Sequence, residues 1–501
     1  MAVASNTLTV GIFNDSFPPT IDGVANAAAN YAAEINKHHG RAVVATPWYP
    51  NVVDNFPYKV VRYPSAKVGK KIGYRAGNPF DPFVLNRLHR EDIDIIHTHS
   101  PFSSAVLARL LRFTSDAPLI FTYHTKFDIE FQKILAFDPV RTASAKFLLS
   151  NINASNEVWA VSEGAGKNMR SLGYEGDYIV MQNGTDFPKG SADPRQVDEL
   201  RKKHHIDPQL PVFLFVGRMM WYKGIRLIVD SLKAVRQKGY MFRMIFVGEG
   251  YDRPEIQAYV NENGLADCCT FTGAVYDREK VRAYFTLADM FLFPSTYDTN
   301  GIVVSEAAAC SCPSILIEGS CAAERTSHME TAILVKEEIR ALTESIIFAC
   351  DNPLIVRSIG QAASEKIYLS WEDAVDTAYN RYRTVIEKYN ADTNLQSRRL
   401  AALNDLRKMK EEFGFRLVHL TNYMQRQHSS LSIKKTKFKE YYLNRRRGMN
   451  VKLDRLLEFY KVRQEEMDIK MESLTEYYRY SSDDTIGRLI DEALKNQSWR
   501  L

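Results

Sequence analysis

Short apolar runs rich in β-branched residues alternate with segments of helical periodicity along the first part of the chain. Such runs, each followed by an amphipathic stretch, are typical of buried parallel strands joined by helices. Six of them precede residue 190: 8–13, 42–45, 93–96, 119–122, 158–161 and 178–181. The pattern therefore predicts a doubly wound α/β domain over residues 1–190.

The same alternation begins again after the polar segment 186–208. Five further runs are predicted to be strands: 212–216, 243–247, 269–272, 290–293 and 314–317. We therefore expect an α/β protein with two Rossmann-like doubly wound domains, the second over 191–370, followed by a crossover helix over 371–390. The carboxyl ends of both sheets should face a common cleft, where ligands of such folds bind.

Strand signals stop after residue 390, and segment 391–501 is predicted to be an all-helical basic extension. It contains 23 Lys and Arg against 16 Asp and Glu, whereas the whole chain has a net charge of only +5. Residues 423–463 contain 12 basic and three acidic side chains, interleaved with aromatic and aliphatic ones. This surface suits a helical hairpin packed on the second domain or on another subunit, or a face that docks on anionic lipid. Nucleic acid is not expected, because no recognisable reading motif accompanies the charge.

Cysteine spacing and the distribution of apolar residues indicate the cellular compartment that we expect for this protein. The six cysteines lack the paired spacing of a disulfide framework or a zinc site, so we expect reduced, buried thiols. The chain begins without the charged segment and cleavage site of a signal peptide. No apolar run approaches the roughly 18 residues that a membrane-spanning helix needs. A soluble or membrane-peripheral intracellular protein is therefore expected.

Candidate ligand groups follow three predicted strand ends of the first domain. The loop after the first strand leads to Gly23, where a glycine would let helix N-terminal amides approach a ligand, although turn glycines also occur for structural reasons. His99 and His124 follow two consecutive strands, so an imidazole could hydrogen-bond sugar hydroxyls or a reacting centre. Metal binding is not expected, because no carboxylate ligand set lies nearby.

In the second domain, Gly217 and Arg218 end a strand, and Lys223 precedes the next helix. Two cations beside a helix N-terminus form a cradle for a diphosphate, although a surface turn would show the same residues. Gly248 belongs to a further glycine-rich strand exit that is compatible with a nucleoside. We also expect Val275, which comes after the following strand, to contact the donor.

The most informative segment is 293–307, in which a strand breaks at a proline and a helix starts near Gly301. Asp298 lies on the loop and Glu306 within the helix, so two carboxylates can flank one ligand and accept hydrogen bonds from the hydroxyls of two sugars. Alternatively, Asp298 caps the helix and Glu306 forms a salt bridge. Asn300 and Ile302 complete the predicted donor site.

This set of motifs resembles glycosyltransferase family 4, the retaining enzymes of GT-B architecture, across roughly residues 6–390. Arg218 and Lys223 are similar to the family's diphosphate-binding Arg and Lys, and Asp298 and Glu306 occupy the positions of two glutamates separated by seven residues. The resemblance implies that Glu306 holds the donor ribose and that residue 298 contacts the transferred sugar. Asp298 departs from the family pattern, because its carboxylate is one methylene shorter than that of glutamate.

Within the family, segments 15–23, 97–102, 123–125, 298–301 and 319–324 look most like bacterial diacylglycerol glucosyltransferases. The resemblance implies transfer of a hexose, in the first place glucose, from a UDP-sugar to a lipid at the cytoplasmic face of the cell membrane. No cofactor or metal is expected, since the leaving diphosphate can take the acceptor proton while Arg218 and Lys223 stabilise its charge. Nothing is implied for 391–501.

Other functions remain open, because a fold alone does not fix a reaction. The acceptor could be a soluble molecule or a glycan. An epimerase or a phosphorylase could use the same architecture. A non-catalytic sugar-nucleotide sensor is a further alternative, in which Asp298 has relaxed and the extension recruits a partner. The combination of Arg218, Lys223, Asp298 and Glu306 favours transfer.

Overall fold

The computed structural model describes residues 7–20, 22–67, 75–127 and 138–392, and five separate residues between 398 and 408. The predicted basic extension, including 423–463, lies outside the described residues apart from its first few positions. In the described part of the chain, no helix has both the length and the apolar composition that a membrane crossing requires.

The first sheet has seven parallel strands in the order β3-β2-β1-β6-β7-β8-β9. Its strands are β1 (Thr9–Phe13), β2 (Arg41–Pro47), β3 (Lys59–Tyr63), β6 (Ile95–Thr98), β7 (Leu119–Tyr123), β8 (Glu157–Ala160) and β9 (Ile179–Val180), while β4 (Ser65–Lys67) and β5 (Arg75–Gly77) form a separate antiparallel pair. The surrounding helices are α1 (Gly23–Glu34), which continues as the π-helical turn Ile35–His39, α2 (Pro82–His89), α3 (Ser103–Ser115), α4 (Asp138–Asn153) and α5 (Glu163–Ser171). Strand β7 is buried along its whole length, as expected for a strand covered on both faces.

The second sheet has six parallel strands in the order β12-β11-β10-β13-β14-β15. Its strands are β10 (Val212–Val216), β11 (Arg243–Val247), β12 (Cys269–Gly273), β13 (Met290–Phe293), β14 (Ser314–Ile317) and β15 (Ile333–Val335). Its helices are α6 (Pro194–Lys203), α7 (Ile225–Gln237), α8 (Arg253–Glu262), α9 (Arg278–Leu287), α10 (Ile302–Ala309), α11 (Ile339–Asp351) and α12 (Pro353–Lys366), with 3₁₀ turns at Trp221–Lys223 and Cys321–Ala323. Helix α7 buries Ile228, Leu232 and Val235, which lie on one face at helical spacing.

The last described helix, α13 (Trp371–Asp392), follows the second domain in sequence but packs on the first. Trp371, Tyr379 and Tyr382 are buried in the same core cluster as Tyr31 of α1. The hydroxyl of Tyr382 shares a hydrogen bond of 2.6 Å with Nδ1 of His97 at the end of β6. This helix therefore supports the part of the first sheet that leads to the cleft.

The two parallel sheets confirm the predicted α/β architecture, and the eleven predicted runs all lie on strands. The sequence pattern missed β3 and β15 of these sheets and also the short antiparallel pair β4 and β5. Lys59 and Arg62 interrupt the apolar run of β3, which is an edge strand and is buried at only two of its five positions. Strand β15 has only three residues and also lies at an edge, so its apolar run is too short to stand out.

Gly224 fixes the turn between Lys223 and α7. Its φ is +77°, and a Cβ atom there would lie 2.2 Å from the carbonyl oxygen of Pro294, which directly follows β13. The close approach of these two strand exits therefore requires glycine at position 224.

We expect Gly224→Ala to lower the free energy of unfolding by about 2–5 kcal/mol, because a left-handed conformation and a backbone clash add up. Gly239→Ala is the matched control. Its φ is +89°, but a Cβ there meets no atom within 4 Å, so it should cost about 1–2 kcal/mol. Urea unfolding of both variants measures the difference, and equal losses would contradict the role of the Pro294 contact.

Candidate active site

Lys223 and Asp298 meet at the point where the strand order of the second sheet reverses. Lys223 follows β10 and Asp298 follows β13, and these strands are neighbours although they are not consecutive in sequence. Doubly wound sheets bind ligands outside the carboxyl ends of their strands at such a switch point. The pair therefore lies where a ligand of the second domain is expected.

The Lys223 Nζ atom donates a hydrogen bond of 2.5 Å to Oδ1 of Asp298. Lys223 is only 8% exposed, and its ammonium lies 5.7 Å from the ring centroid of Tyr222 and 5.9 Å from that of Phe293. The buried Oδ2 atom of Asp298 has no hydrogen-bond partner among the described residues. One carboxylate oxygen thus compensates the lysine charge, while the other is available to a ligand hydroxyl.

Arg218 is exposed beside this pair, with its guanidinium carbon 6.0 Å from the ring centroid of Tyr222. The strand exits around it are tightly packed. A Cβ at Gly248 would lie 1.9 Å from the carbonyl oxygen of Gly217, and the φ of Gly248 is +140°. The Gly217 amide donates to the carbonyl of Val247 over 3.0 Å. The packing of these strand exits therefore requires glycine at position 248, whether or not a nucleoside binds beside it.

Glu306 is 5% exposed and forms an ion pair with Arg278, the first residue of α9. The Arg278 Nη2 atom donates to Oε1 of Glu306 over 2.5 Å and to Oδ1 of Asp186 over 2.6 Å. The guanidinium carbon lies 4.4 Å from the ring centroid of Phe187. Burial raises the pKa of Glu306, and the nearby Arg278 acts in the opposite direction. Arg278 therefore helps to keep this buried carboxylate ionised.

The sequence left open an alternative in which Asp298 caps the helix and Glu306 forms a salt bridge. The structure agrees with only one of these two contacts. Glu306 does form a salt bridge, but Asp298 does not cap α10. The residue at the N-cap of α10 is Gly301, with a φ of +61°, and no side chain caps this helix. Asn300 and Ile302 flank this glycine and are half-buried. Val275, after β12, is also half-buried and packs against the second-domain core.

Three histidines stack at the cleft side of the first sheet. The rings of His97 and His99 are 4.0 Å apart, and Nδ1 of His99 shares a hydrogen bond of 2.9 Å with Nε2 of His124. Burial lowers the pKa of His124 to about 3 and lowers the pKa of His97 and His99 well below 6.5. These imidazoles are therefore neutral hydrogen-bonding groups at physiological pH.

The two predicted catalytic histidines are not equivalent in position. The backbone carbonyl of His124 accepts a hydrogen bond of 2.6 Å from the hydroxyl of Thr299, so His124 borders the loop that carries Asp298. His99 contacts His124 from the interior and is 2% exposed, and its Nε2 atom has no partner among the described residues. His124 is therefore better placed than His99 to contact a substrate.

An open pocket of about 610 Å³ lies between the two domains next to this loop. Lys126 and Asn168 of the first domain line it, together with Thr296, Ser320 and Lys336 of the second. The hydroxyl of Ser320 is buried there without a partner among the described residues. The cleft therefore offers polar groups from both domains beside the switch point.

Comparisons with known proteins identify the family. Residues 196–366 match the model for group 1 glycosyl transferases, and residues 21–187 match the model for Glycosyltransferase Family 4. The chain belongs to glycosyltransferase family 4. Together the two matches cover both doubly wound domains.

Two curated relatives carry the same name. The alpha-monoglucosyldiacylglycerol synthase of Acholeplasma laidlawii is 24% identical over 402 residues, which are 77% of this chain and 100% of that protein. The protein of that name from Streptococcus pneumoniae is 22% identical over 316 residues, which are 62% of this chain and 70% of its own. Among solved structures, Anabaena Alr3699/HepE in complex with UDP and glucose is 17% identical, with a TM-score of 0.60, over 75% of this chain and 100% of that one. This likeness shows the GT-B fold.

Gly23 is the first residue of α1 in this glycosyltransferase. The carboxylate of Asp22 caps the helix by accepting hydrogen bonds from the amides of Val24 and Ala25. A Cβ at Gly23 would meet no atom within 4 Å, so the fold itself does not require glycine there. The open space beside the helix N-terminus is compatible with the predicted approach of a ligand.

Two residues near the cleft were not singled out by sequence reasoning. Arg278 could have been found from its position just after a strand exit, close to Val275. Asp15 lies two residues after the end of β1 and accepts hydrogen bonds from the amide (2.9 Å) and the hydroxyl (3.1 Å) of Ser104, near the start of α3. Burial raises the pKa of Asp15 from 3.8 to about 6. Its position at a strand end was the available signal.

Potential metal ligands occur together at one place in the described part of the chain. Glu34, His38 and Glu372 meet at the contact between α1 and α13. None of them belongs to the strand exits that carry Lys223 and Asp298. The predicted absence of a metal from the reaction stays a prediction.

The raised pKa of Asp15 gives a prediction for the pH dependence of stability. The folded protein binds this proton more tightly than the unfolded chain, so the stabilisation is full below about pH 4 and is lost as the pH rises to about 6. We expect Asp15→Asn to raise Tm at pH 7.5 and to lose this advantage at pH 4, because asparagine keeps the acceptor oxygen without ionising. Asp198→Asn, on the exposed face of α6, should follow the wild-type profile. A Tm gain for Asp15→Asn that did not change with pH would contradict the assignment.

Proposed function

We propose that this glycosyltransferase transfers a hexose, in the first place glucose, from a UDP-sugar to a lipid hydroxyl such as that of diacylglycerol, with retention of anomeric configuration. The observation that carries the proposal is the buried Lys223–Asp298 pair at the switch point of the second sheet, with Glu306 in the following helix. The relatives in Acholeplasma laidlawii and Streptococcus pneumoniae, both named alpha-monoglucosyldiacylglycerol synthases, support the lipid acceptor. The UDP and glucose in the Anabaena structure support the donor class.

Each group at the site has a role in this proposal. A diphosphate can replace Asp298 as the partner of the Lys223 ammonium, and exposed Arg218 is free to turn towards it. Glu306 accepts hydrogen bonds from the ribose hydroxyls, while Asp298 accepts from a hydroxyl of the transferred sugar. Gly217, Gly248 and Val275 line the nucleotide, and Asn300, Gly301 and Ile302 lie beside the sugar. Gly23 of the first domain faces the diphosphate.

The proposed chemistry needs only charge stabilisation and one proton acceptor. As the bond between the sugar and the diphosphate breaks, negative charge grows on the leaving oxygen, and Lys223 and Arg218 stabilise it. The acceptor hydroxyl attacks from the same face and gives its proton to that oxygen, which preserves the configuration. Neutral His124 can hydrogen-bond the incoming hydroxyl or the sugar, with His99 supporting it. No metal and no cofactor is needed in this scheme.

Location follows from the proposed acceptor. A diacylglycerol hydroxyl lies at a membrane surface, so we propose a peripheral enzyme at the cytoplasmic face of the cell membrane. The basic segment 423–463, outside the described residues, is the proposed contact with anionic lipid. Association of two chains through this extension is a further possibility for the same segment.

The function is tested by a screen of radiolabelled UDP-sugars against acceptors. UDP-glucose with diacylglycerol vesicles should give a glucolipid whose anomeric proton, measured by NMR, has the α configuration of the donor. Vesicles with and without anionic lipid separate membrane docking from acceptor recognition. Conversion of UDP-glucose without acceptor would indicate an epimerase, product on a soluble glycan would replace the lipid, and binding without any turnover would indicate a sensor.

Lys223→Ala tests the diphosphate cradle. We expect the loss of about 2–4 kcal/mol of transition-state stabilisation, a decrease in kcat/KM of about 30- to 900-fold, because a preorganised cation is removed. Lys233→Ala on α7 is the matched control, since that lysine is exposed and, among the described residues, donates to Asn263 alone. Wild-type turnover by Lys223→Ala would show that the cradle is assigned to the wrong residue.

A further inference from the structure

The loop that carries Asp298 is hydrogen-bonded to the first domain through its backbone and one side chain. The Thr299 hydroxyl donates to the carbonyl of His124 over 2.6 Å, and the Ser162 hydroxyl donates to the carbonyl of Thr299 over 2.5 Å. The ammonium of Lys126 donates to the carbonyl of Thr296 over 3.1 Å. The residue next to Asp298 is therefore held from two sides by strand exits of the other domain.

Glu324 forms a second connection between the domains. Its Oε2 atom accepts from the amide of Glu163 over 2.8 Å, and its Oε1 atom accepts from the amide of Gly164 over 2.6 Å. These amides begin α5, where Ser162 caps the amide of Ala165 over 3.0 Å. A carboxylate at this position is favoured by the partial positive charge of a helix N-terminus. A second-domain side chain thus completes the cap of a first-domain helix.

Close packing joins the two connections. A Cβ at Gly164 would lie 2.4 Å from the sulfur of Cys321, so the 3₁₀ turn Cys321–Ala323 touches the start of α5. A Cβ at Gly301 would lie 2.9 Å from Cα of Ala322, so the same turn touches the start of α10. The turn that precedes Glu324 is therefore packed against Gly301, three residues after Asp298.

We propose that Thr299 and Glu324 are positioning residues that hold the Asp298 carboxylate in place by fixing its loop to the first domain. The proposal rests on the proposed function, because it concerns the use of Asp298 on the transferred sugar. Neither residue needs to touch a substrate. Both act on the loop from the first-domain side, so they can hold it in place after a diphosphate has replaced Asp298 as the partner of Lys223.

The selective prediction concerns kcat. The residues proposed to bind the nucleotide most directly, Arg218, Lys223 and Glu306, belong to the second domain. UDP binding should therefore not depend on the contacts of Thr299 and Glu324 with the first domain. A displaced loop changes the alignment of the sugar, and misplacement of about 1 Å can reduce a rate by about 10²-fold. Loss of Thr299 or Glu324 contacts should therefore lower kcat more than it weakens UDP binding.

Thr299→Val removes the hydroxyl at nearly constant volume, and Thr299→Ser keeps it. We expect a decrease in kcat of about 10- to 100-fold for Thr299→Val, with the Kd for UDP within about twofold of wild type, and recovery of most of the rate in Thr299→Ser. Wild-type kcat in Thr299→Val would overturn the proposal. So would equal losses in the two variants, or a loss of UDP affinity that accounts for the rate.

Glu324→Gln tests the second connection, because glutamine has one acceptor oxygen for two amides and no charge. The same pattern is expected: kcat falls, and the Kd for UDP is retained. The Tm of each variant is measured and compared with the assay temperature. A loss of rate that is caused by unfolding would be accompanied by a loss of UDP binding. A wild-type rate in Glu324→Gln would contradict a positioning role for this residue.

A crosslink tests the contact without any substrate. In Gly164→Cys, the new Cβ would lie 3.6 Å from Cβ of native Cys321, which is within the range of disulfides. Two thiols lose two hydrogen atoms to an added oxidant, such as oxidised glutathione, and form an intramolecular disulfide that mass spectrometry detects. Gly164→Cys with Cys321→Ala is the control and should not form it.

These outcomes separate the two proposals. A crosslink together with normal transfer by Thr299→Val and Glu324→Gln would refute the positioning role while the proposed function stands. A crosslink in a protein that transfers no sugar to any acceptor would refute the proposed function, and the positioning role with it. Failure of Gly164→Cys to crosslink in a folded protein would refute the domain contact itself.

Discussion

The buried ion pair between Lys223 and Asp298 is the interaction on which the arrangement of the cleft depends. A buried ammonium without a partner costs several kcal/mol, so the carboxylate of Asp298 stabilises Lys223 at the end of β10. The contact also ties the exit of β10 to that of β13 at the switch point of the sheet, where Gly224 allows the two backbones to meet. An anionic diphosphate offers Lys223 the same charge compensation, which makes the pair suitable for exchanging partners.

The two domains contribute different chemistry to the cleft. The second domain supplies the cations Arg218 and Lys223 and the buried carboxylate of Glu306. The first domain supplies neutral imidazoles, because burial keeps its histidines uncharged. Helix α13 contributes to the burial of His97, since Tyr382 packs against this ring and shares a hydrogen bond with it. The histidines therefore add no positive charge to the first-domain side of the cleft.

The sequence predicted the parts of the fold and site that depend on local pattern. The fully buried strands were found because their apolar runs are uninterrupted, whereas β3 was missed because Lys59 and Arg62 interrupt it. Lys223, Asp298 and Glu306 were found from their positions after strands and at a helix start. The contacts of Lys223 with Asp298 and of Arg278 with Glu306 were not predicted, because they depend on which strands become neighbours. The burial of His97 likewise depends on the distant helix α13, whose Tyr382 contacts it.

The most direct measurement is a comparison of UDP binding and sugar transfer in Asp298→Asn. If Lys223 serves the diphosphate and Asp298 serves the sugar, the variant should bind UDP at least as tightly as wild type, because the lysine is released from its anionic partner. Its transfer rate should fall by about 10²-fold, as is typical when one preorganised polar group is lost. A weakened Kd for UDP, as large as that of Lys223→Ala, with an unchanged rate at saturating donor would contradict this division of roles.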